Sequence, residues 1–462
     1  METSRVAGSF RDPSGFLFRR GGTLYRQVNS VYREDYDRLM ESGLYNELVG
    51  SGLLVAHEEV DIDPAGPDAY RIIRPELVPF ISYPYEWSFS QLQDAALLTL
   101  EIQKRALEAD QSLKDASAYN VQFRQGRPVF IDSLSFEEYE EGSPWIAYGQ
   151  FCRHFLAPLA LMSYTDVRLG QLFRTHLDGV PLDLASTLLP ARSYLSFSLL
   201  SHIHFHAKGQ DRYADVSDEK EVPDREVGRT QLLGIIDNLQ SAVSGLSWEP
   251  EGTEWAGYYD DTNYSSEGFD AKEAFVAEAV DTHGPEAVWD LGANTGRFSR
   301  IAAESGARTL ALDIDPAAVE KGYRACRDNG QPNILPLVLD LTNPSPGIGW
   351  EHAERKSLMD RGPADMALAL ALVHHLAISN NVPLPRLAGF FSQLCETLVV
   401  EFVPKSDGQV QRLLVTREDI FDDYTQEHFE EAFREHFTIE ETKDVPESKR
   451  TLYRMQVRSS TS

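Results

Sequence analysis

Residues 287–316 read AVWDLGANTGRFSRIAAESGARTLALDIDP. A short apolar run ends in Asp290, glycines follow at 292 and 296, and RFSRIAAES then has helical spacing before a second apolar run ends in Asp313. Strand, glycine turn, helix and strand together make the unit of a parallel sheet covered by helices. In an open sheet of that kind, ligands bind beyond the carboxyl ends of the strands, where strand order reverses. Gly292 and Gly296 let the first strand turn sharply into its helix and let a ligand lie against the backbone. Asn294 stands between them where a third glycine often sits, and Asn tolerates positive φ.

The charges in this turn narrow the ligand. Asp313, 23 residues after Asp290, is placed to accept both hydroxyls of a ribose. A dinucleotide fingerprint has glycines at positions one, three and six with little charge before them. Here the pattern is D-x-G-x-N-x-G, and an acid opens it. Asp290 would sit badly beside a pyrophosphate and well near a cationic amino-acid moiety. That favours S-adenosylmethionine, whose sulfonium and ammonium are both positive.

From about residue 248 onward the same alternation continues. EAFVAEAV, RFSRIAAES, PAAVEKGYRACRDN and PLPRLAGFFSQLC read as helices; AVWDLG, RTLALDID, NILPLVLDL, ADMALALALV and TLVVEFV read as strands. ADMALALALV is almost continuously apolar, as a strand buried on both faces should be. The tail adds a helix and two more strands. Asp340, expected at the end of the third strand, could accept from an adenine amine, with Leu341 packing on the ring.

The ordered set of residues 290–296, Asp313, Asp340 and residues 365–376 resembles the class I S-adenosylmethionine-dependent methyltransferases, over about residues 248–457. The resemblance implies a Rossmann-like, doubly wound α/β domain with S-adenosylmethionine as cofactor. It assigns the methionine part to Asp290, Gly292, Asn294 and Gly296, the ribose to Asp313, and the adenine to Asp340 and Leu341. The departure from the family pattern is Asn294 in place of the usual glycine. Just upstream, WAGYYDDTNYSSEGFDAKEAFV resembles the segment that closes over the cofactor in some of these enzymes, which makes Tyr259, Tyr264 and Lys272 candidates.

Candidate bases come from ALVHHLAISNNVPL after the fourth strand, where the family often has paired histidines: His374 and His375. A neutral imidazole can remove a proton from an attacking hydroxyl near neutral pH; the alternative is a histidine that packs beneath the cofactor. Glu401 in VVEFVPK is a second candidate, with Lys405 close behind. Methyl transfer is an in-line displacement that needs mainly alignment, so a base is not obligatory. No N-P-P-Y-type amine motif is present, which favours an oxygen or carbon acceptor.

The first half raises a different question. In LKDASAYNVQFRQGRPVFIDSLSF, Asp115 precedes Asn120 by five residues and Asp132 follows twelve later, at the end of an apolar strand. Kinase-type phosphotransferases use this spacing for a catalytic Asp and for the Asn and Asp that hold Mg²⁺. The helical SQLQDAALLTLEIQKRAL precedes it, and the stretch looks like the catalytic loop of a kinase-like or aminoglycoside-phosphotransferase-like domain. The departures are Lys114 where a His or Arg is expected, no G-x-G-x-x-G loop, and no lysine before Lys104, leaving Arg26 in GTLYRQV as an imperfect stand-in. Three readings stay open: a degenerate kinase-like α+β domain for substrate binding or docking, an active Mg·ATP phosphotransferase using Asp115, Asn120 and Asp132, and coincidence. SHIHFHAKG would put His202, His204 and His206 on one face of a strand, a metal half-site lacking further ligands at the right spacing.

Taken whole, YPYEWSF, LKDASAYN and EFVPKSD resemble bacterial two-part methyltransferases related to a host-specificity nodulation protein. The expected organisation is an accessory domain over 1–206, a charged linker and bridging helix over 207–247, and the methyltransferase domain over 248–462. The chain has 462 residues and a net charge of −29, which disfavours extended nucleic-acid binding. Its three cysteines are odd in number and lack metal spacing, no apolar run reaches a membrane span, and no secretory signal is read at the N-terminus; a cytoplasmic home follows as the expectation. The expected function is methyl transfer to a small-molecule or saccharide-type acceptor, with no metal and no membrane partner. A non-catalytic S-adenosylmethionine-binding regulator is the further alternative, and the oligomeric state is left open.

Overall fold

In the computed structural model, which describes residues 3–207, 227–250, 266–415 and 417–458, the chain divides into two units. One comprises Met1–Glu249 with Ile348–Arg355, the other Pro250–Gly347 with Lys356–Ser462. The return of Ile348–Arg355 to the first unit has no signal in the sequence.

The first unit opens with β1 (Thr3–Arg5), β2 (Gly15–Arg20), β3 (Thr23–Asn29), β4 (His57–Glu59) and β5 (Ala69–Pro75). They form an antiparallel sheet in the order β1-β2-β3-β5-β4. The tight β2–β3 hairpin turns through Gly21 and Gly22, both at positive φ (57° and 83°), which a two-residue hairpin needs and glycine permits at little cost. Phe16 and Phe18 alternate inward and pack with Ile72. The helix Phe89–Glu108 starts at a capping box: the Ser88 hydroxyl accepts from Gln91 N, and the Gln91 side chain accepts from Ser88 N at 2.9 Å. Then follow β6 (Gln111–Leu113), β7 (Val121–Arg124), β8 (Arg127–Phe130) and β9 (Phe136–Glu138), with β6 paired to β9 and β7 to β8.

Two expectations are corrected here. The helix Arg229–Gly245, expected to bridge, packs along Phe89–Glu108 within the first unit: Gln93 Nε2 donates to the carbonyls of Val243 and Leu246, both at 2.8 Å, and Lys104 Nζ to Gln240 at 2.9 Å. The charged stretch before it, 208–226, lies outside the described residues. The three histidines are not on a strand; residues 197–207 are helical, with a π-helical turn at Leu200–His204. His202 bonds the Tyr148 hydroxyl (2.6 Å) and Asn238 (2.8 Å), and His204 bonds Ser186 (2.8 Å) and Ser193 (2.9 Å). Both are satisfied core histidines. Polar helical segments with regular i, i+2 histidines imitate strand alternation, and packing decides between them.

The second unit holds β10 (Ala287–Leu291), β11 (Arg308–Asp313), β12 (Ile334–Val338), β13 (Ala364–Ala369), β14 (Cys395–Phe402), β15 (Phe437–Asp444) and β16 (Thr451–Val457). The sheet order is β12-β11-β10-β13-β14-β16-β15, parallel except that β16 runs antiparallel to both its neighbours. The chain lays down β10, β11 and β12 outward, then crosses back to place β13 on the other side of β10. The crevice at the carboxyl ends of β10 and β13 is therefore the ligand position the sheet offers. Beneath it, Phe275, Val276 and Val280 of helix Ser266–His283 pack with Val288, Met366, Leu368 and Leu452. This is the Rossmann-like α/β architecture expected.

Among the described residues no group of three or more His, Cys, Asp or Glu side chains is arranged to hold a metal ion, and no helix is long and apolar enough to cross a membrane. The histidine placement has two measurable consequences. His204→Ala, which removes the ring partner of the half-buried Ser186 hydroxyl and one of the two partners of Ser193, should cost about 1–2 kcal/mol of stability in denaturant titration. A chelator should leave the melting temperature of the wild-type protein unchanged.

Candidate functional site

The crevice is a cleft of about 300 Å³. Phe269, Lys272, Asp290, Gly292, Asn294 and Phe298 line it, together with Asp313, Ile314, residues 339–342, residues 370–372, His375, Leu376, Ser379, Asn380 and Leu413. The glycine turn runs as its sequence requires. Gly292, Asn294 and Gly296 all have positive φ (78°, 52° and 82°), and the Asn294 side chain accepts from Thr295 N at 2.8 Å.

Asp313 holds this turn against β11. One carboxylate oxygen accepts from Asn294 N at 2.7 Å and the other from Asp315 N at 2.9 Å. Asp290 accepts a 2.6 Å hydrogen bond from the Ser299 hydroxyl. Both acids are almost wholly buried, and burial is the main cause that raises Asp290 to about 7 and Asp313 to about 6. For Asp290 the charge of Asp313 raises it further, while Ser299 and Lys272 act the other way. Such a cleft disfavours its own negative charges until a cation or a set of hydroxyl donors enters.

Asp340 lies two residues past the end of β12 rather than at it, and its Oδ1 accepts from Thr342 N (2.8 Å) and Thr342 Oγ1 (2.6 Å). Leu339, Asp340, Leu341 and Thr342 form one wall as a turn. Ile314, 58% exposed, sits next to Asp313 on the cleft surface. Sequence reasoning misses it, although an apolar side chain between two acids in LDIDP is the signal that marks it.

The candidate bases separate. His375 lines the cleft, and burial, then the charge of Arg450, lowers it to about 4. It is neutral at physiological pH. His374 packs against it with the rings tilted by 40° and their centroids 4.1 Å apart, is buried, and is not among the lining residues; neither ring nitrogen has a hydrogen-bond partner among the described residues. Burial holds His374 well below the usual histidine range. Glu401 is wholly buried, accepts from Lys272 Nζ and from Ala371 N, both at 2.8 Å, and does not line the cleft. It is committed to holding the protein and is not placed to take a proton from an acceptor. Lys272 reaches the cleft wall, but its ammonium is engaged by Glu401. Lys405 pairs with Asp419 at 2.8 Å. Tyr259 and Tyr264 lie outside the described residues.

In the first unit, Asp115, Asn120 and Asp132 do come together. Arg26 of β3 pairs with Asp132, which also accepts from Leu134 N (2.9 Å) and Ser135 Oγ (2.7 Å). Asp115 accepts from Ser117 N (2.9 Å) and Gln150 Nε2 (2.8 Å).

No protein-family model matches the chain. It is 38% identical over 467 residues to nodulation protein NoeA of Rhizobium meliloti (strain 1021), an alignment that takes in 97% of this chain and 95% of that protein. Among solved structures it is similar to WbdD at 16% identity and a TM-score of 0.30, covering 46% of each chain. It is also similar to magnesium protoporphyrin IX methyltransferase (ChlM) from Synechocystis PCC 6803 with bound SAH, at 16% identity and a TM-score of 0.31, covering 44% of this chain and 91% of that one. The match to WbdD thus spans less than half of that protein.

The raised Asp290 pKa sets a pH dependence. A carboxyl whose folded value lies above its unfolded one contributes stability at low pH that is lost as pH rises through the folded value. Stability is lost between the unfolded value of 3.8 and about 7, so Asp290→Asn should already exceed the wild type somewhat near pH 5 and exceed it by a further ~3 kcal/mol at pH 8 in ligand-free unfolding. Equal stability at both pH values would show that Asp290 ionises without cost.

Proposed function

The chain belongs to the family of nodulation protein NoeA, and we propose that its second unit is an S-adenosylmethionine-dependent methyltransferase. The observation that carries this is the pair of buried carboxylates at the ends of adjacent strands, Asp290 and Asp313, each raised by burial and both facing one cleft. The donor set fits the cofactor. Asp290 would take the cationic amino-acid end, Asp313 the ribose hydroxyls, and Asp340, Leu341 and Ile314 the adenine. A side chain at 292 would be strained by the positive φ and would meet Leu372 at 3.4 Å, so the backbone stays open there.

When bound, the cofactor supplies a methyl group on positively charged sulfur. The protein's residues do the rest by alignment. Leu370, Leu372, Leu376 and Leu413 exclude water from the cleft. His375, neutral near pH 7, accepts a hydrogen bond from an acceptor hydroxyl and orients its oxygen; with a pKa of about 4 it holds a proton poorly, so a proton released on transfer passes to solvent. A small-molecule or saccharide-type acceptor fits a cleft whose outer wall carries Ser379 and Asn380, and the net charge of −29 argues against nucleic acid.

For the first unit we propose a kinase-like fold that serves substrate binding or docking without phosphotransfer. The order of its elements supports the likeness: five antiparallel strands, a long helix, β6, the Asp115–Asn120 loop, the β7–β8 hairpin and then Asp132. Arg26 neutralises the carboxylate that would hold Mg²⁺, and with its charge and hydrogen bonds Asp132 stays below the usual carboxylate range.

Titration calorimetry tests both readings. S-adenosylmethionine and S-adenosylhomocysteine should bind the wild type, with S-adenosylmethionine affinity falling roughly tenfold per pH unit below about 7 as Asp290 takes up its proton. Asp313→Ala should lose about 2–4 kcal/mol of binding. Mg·ATP should give no heat; a Mg²⁺-dependent signal lost in Asp132→Asn would restore the phosphotransferase reading.

A further inference from the structure

The largest fully buried side chain of the described residues is Arg450, which no sequence pattern singles out. It lies just before β16, far along the chain from the glycine turn. Its guanidinium donates to both oxygens of Asp407, at 2.8 and 3.0 Å, and stands 3.8 Å from Glu401. With Lys272 these make a set of two cations and two anions, each at most 8% exposed. Such a set is stable only complete, because a charge left alone in the interior is strongly unfavourable.

Each anion leads to a wall of the cleft. Glu401 Oε2 accepts from Ala371 N, and Ala371 has a φ of 51°. An alanine in the left-handed region is uncommon and persists only when its surroundings hold it there. That turn is what carries β13 into residues 370–372 of the lining, and His375 N then donates to the Leu372 carbonyl at 3.0 Å. Asp407 caps the helix Gly408–Leu414 by accepting from Gln409 N at 2.9 Å, and Leu413 of that helix faces the cleft.

We propose that Arg450 is a positioning residue: through Glu401 it fixes the Ala371 turn, and through Asp407 the helix bearing Leu413, so that one guanidinium sets two walls of the cleft. As a role in catalysis this rests on the methyltransferase reading; as a role in shaping the cleft it does not. Glu401, expected as a base, becomes the intermediate of this device.

Hydrogen–deuterium exchange on the ligand-free protein reads the device directly, in wild type, Arg450→Met, Arg450→Lys and Asp407→Asn. In Arg450→Met, amide exchange at 370–376 and 408–414 should quicken by about tenfold or more while β10 and β14 keep their protection. Arg450→Lys should restore protection at 370–376, since it returns a cation beside Glu401. Asp407→Asn, which keeps Arg450 and an acceptor for Gln409 N but removes the anion, should loosen 408–414 more than 370–376, and it remains readable if Arg450→Met does not fold. Unchanged exchange at 370–376, or a uniform rise across the whole sheet, would overturn the proposal, the latter by making Arg450 a general stabiliser. S-adenosylhomocysteine titration of the same proteins should show about tenfold weaker binding in Arg450→Met. A wild type that binds none would sink the methyltransferase reading while leaving the exchange result to stand by itself.

Discussion

Two carboxylates in a low-dielectric crevice are the constraint on which the second unit turns. Asp290 and Asp313 end neighbouring parallel strands, and the backbone between them must fold back without bringing a counter-ion of its own. The solution is a turn with three residues at positive φ, held where Asn294 N donates to Asp313, whose other oxygen accepts from Asp315 N. Backbone donors compensate part of the charge and leave the rest for a ligand, as the raised values of about 7 and 6 express. A protein that satisfied these acids internally would be more stable at neutral pH and would have nothing to bind.

The sheet topology converts that local feature into a site. Because β13 returns to the far side of β10, the connections leave the carboxyl ends of β10 and β13 in opposite directions and a crevice opens there. The opposite wall is then built by the segment after β13, a left-handed alanine and a π-helical turn, His375–Ser379. Irregular backbone of this kind has few hydrogen bonds of its own to hold it. Buried ionic groups supply the hold: Glu401, Arg450 and Asp407 sit behind the wall, and Lys272, paired with Glu401, reaches it.

The sequence discloses what the chain does locally and conceals what it does by long-range pairing. The first strand, the turn and the second strand lie within some thirty residues, so Asp290, Gly292, Asn294 and Asp313 are legible from spacing and charge, and all line the cleft. Glu401 invites a misreading because its acidity at a strand end is visible while Lys272, 129 residues away, and Arg450 are not visibly its neighbours. Their meeting depends on β16 inserting beside β14, which no periodicity announces. The histidines at 202–206 show the opposite failure: a real regularity in sequence belongs to a helix whose partners, Tyr148 and Asn238, come from distant segments.

The two units place acids at comparable points, after a strand and beside a loop, and treat them in opposite ways. In the first, Arg26 sits against Asp132 and keeps it ionised, with its charge compensated inside the protein. In the second, Asp290 is raised because burial outweighs its hydrogen bond and the more distant Lys272. A cation approaching Asp132 must displace a guanidinium already paired; one approaching Asp290 relieves a cost the fold has left standing. Ion pairing between buried groups is decided by such differences and not by the number of acids present. A divalent metal at Asp132 would thus compete with a guanidinium already in place, whereas a positively charged ligand at Asp290 would relieve the cost that burial leaves there.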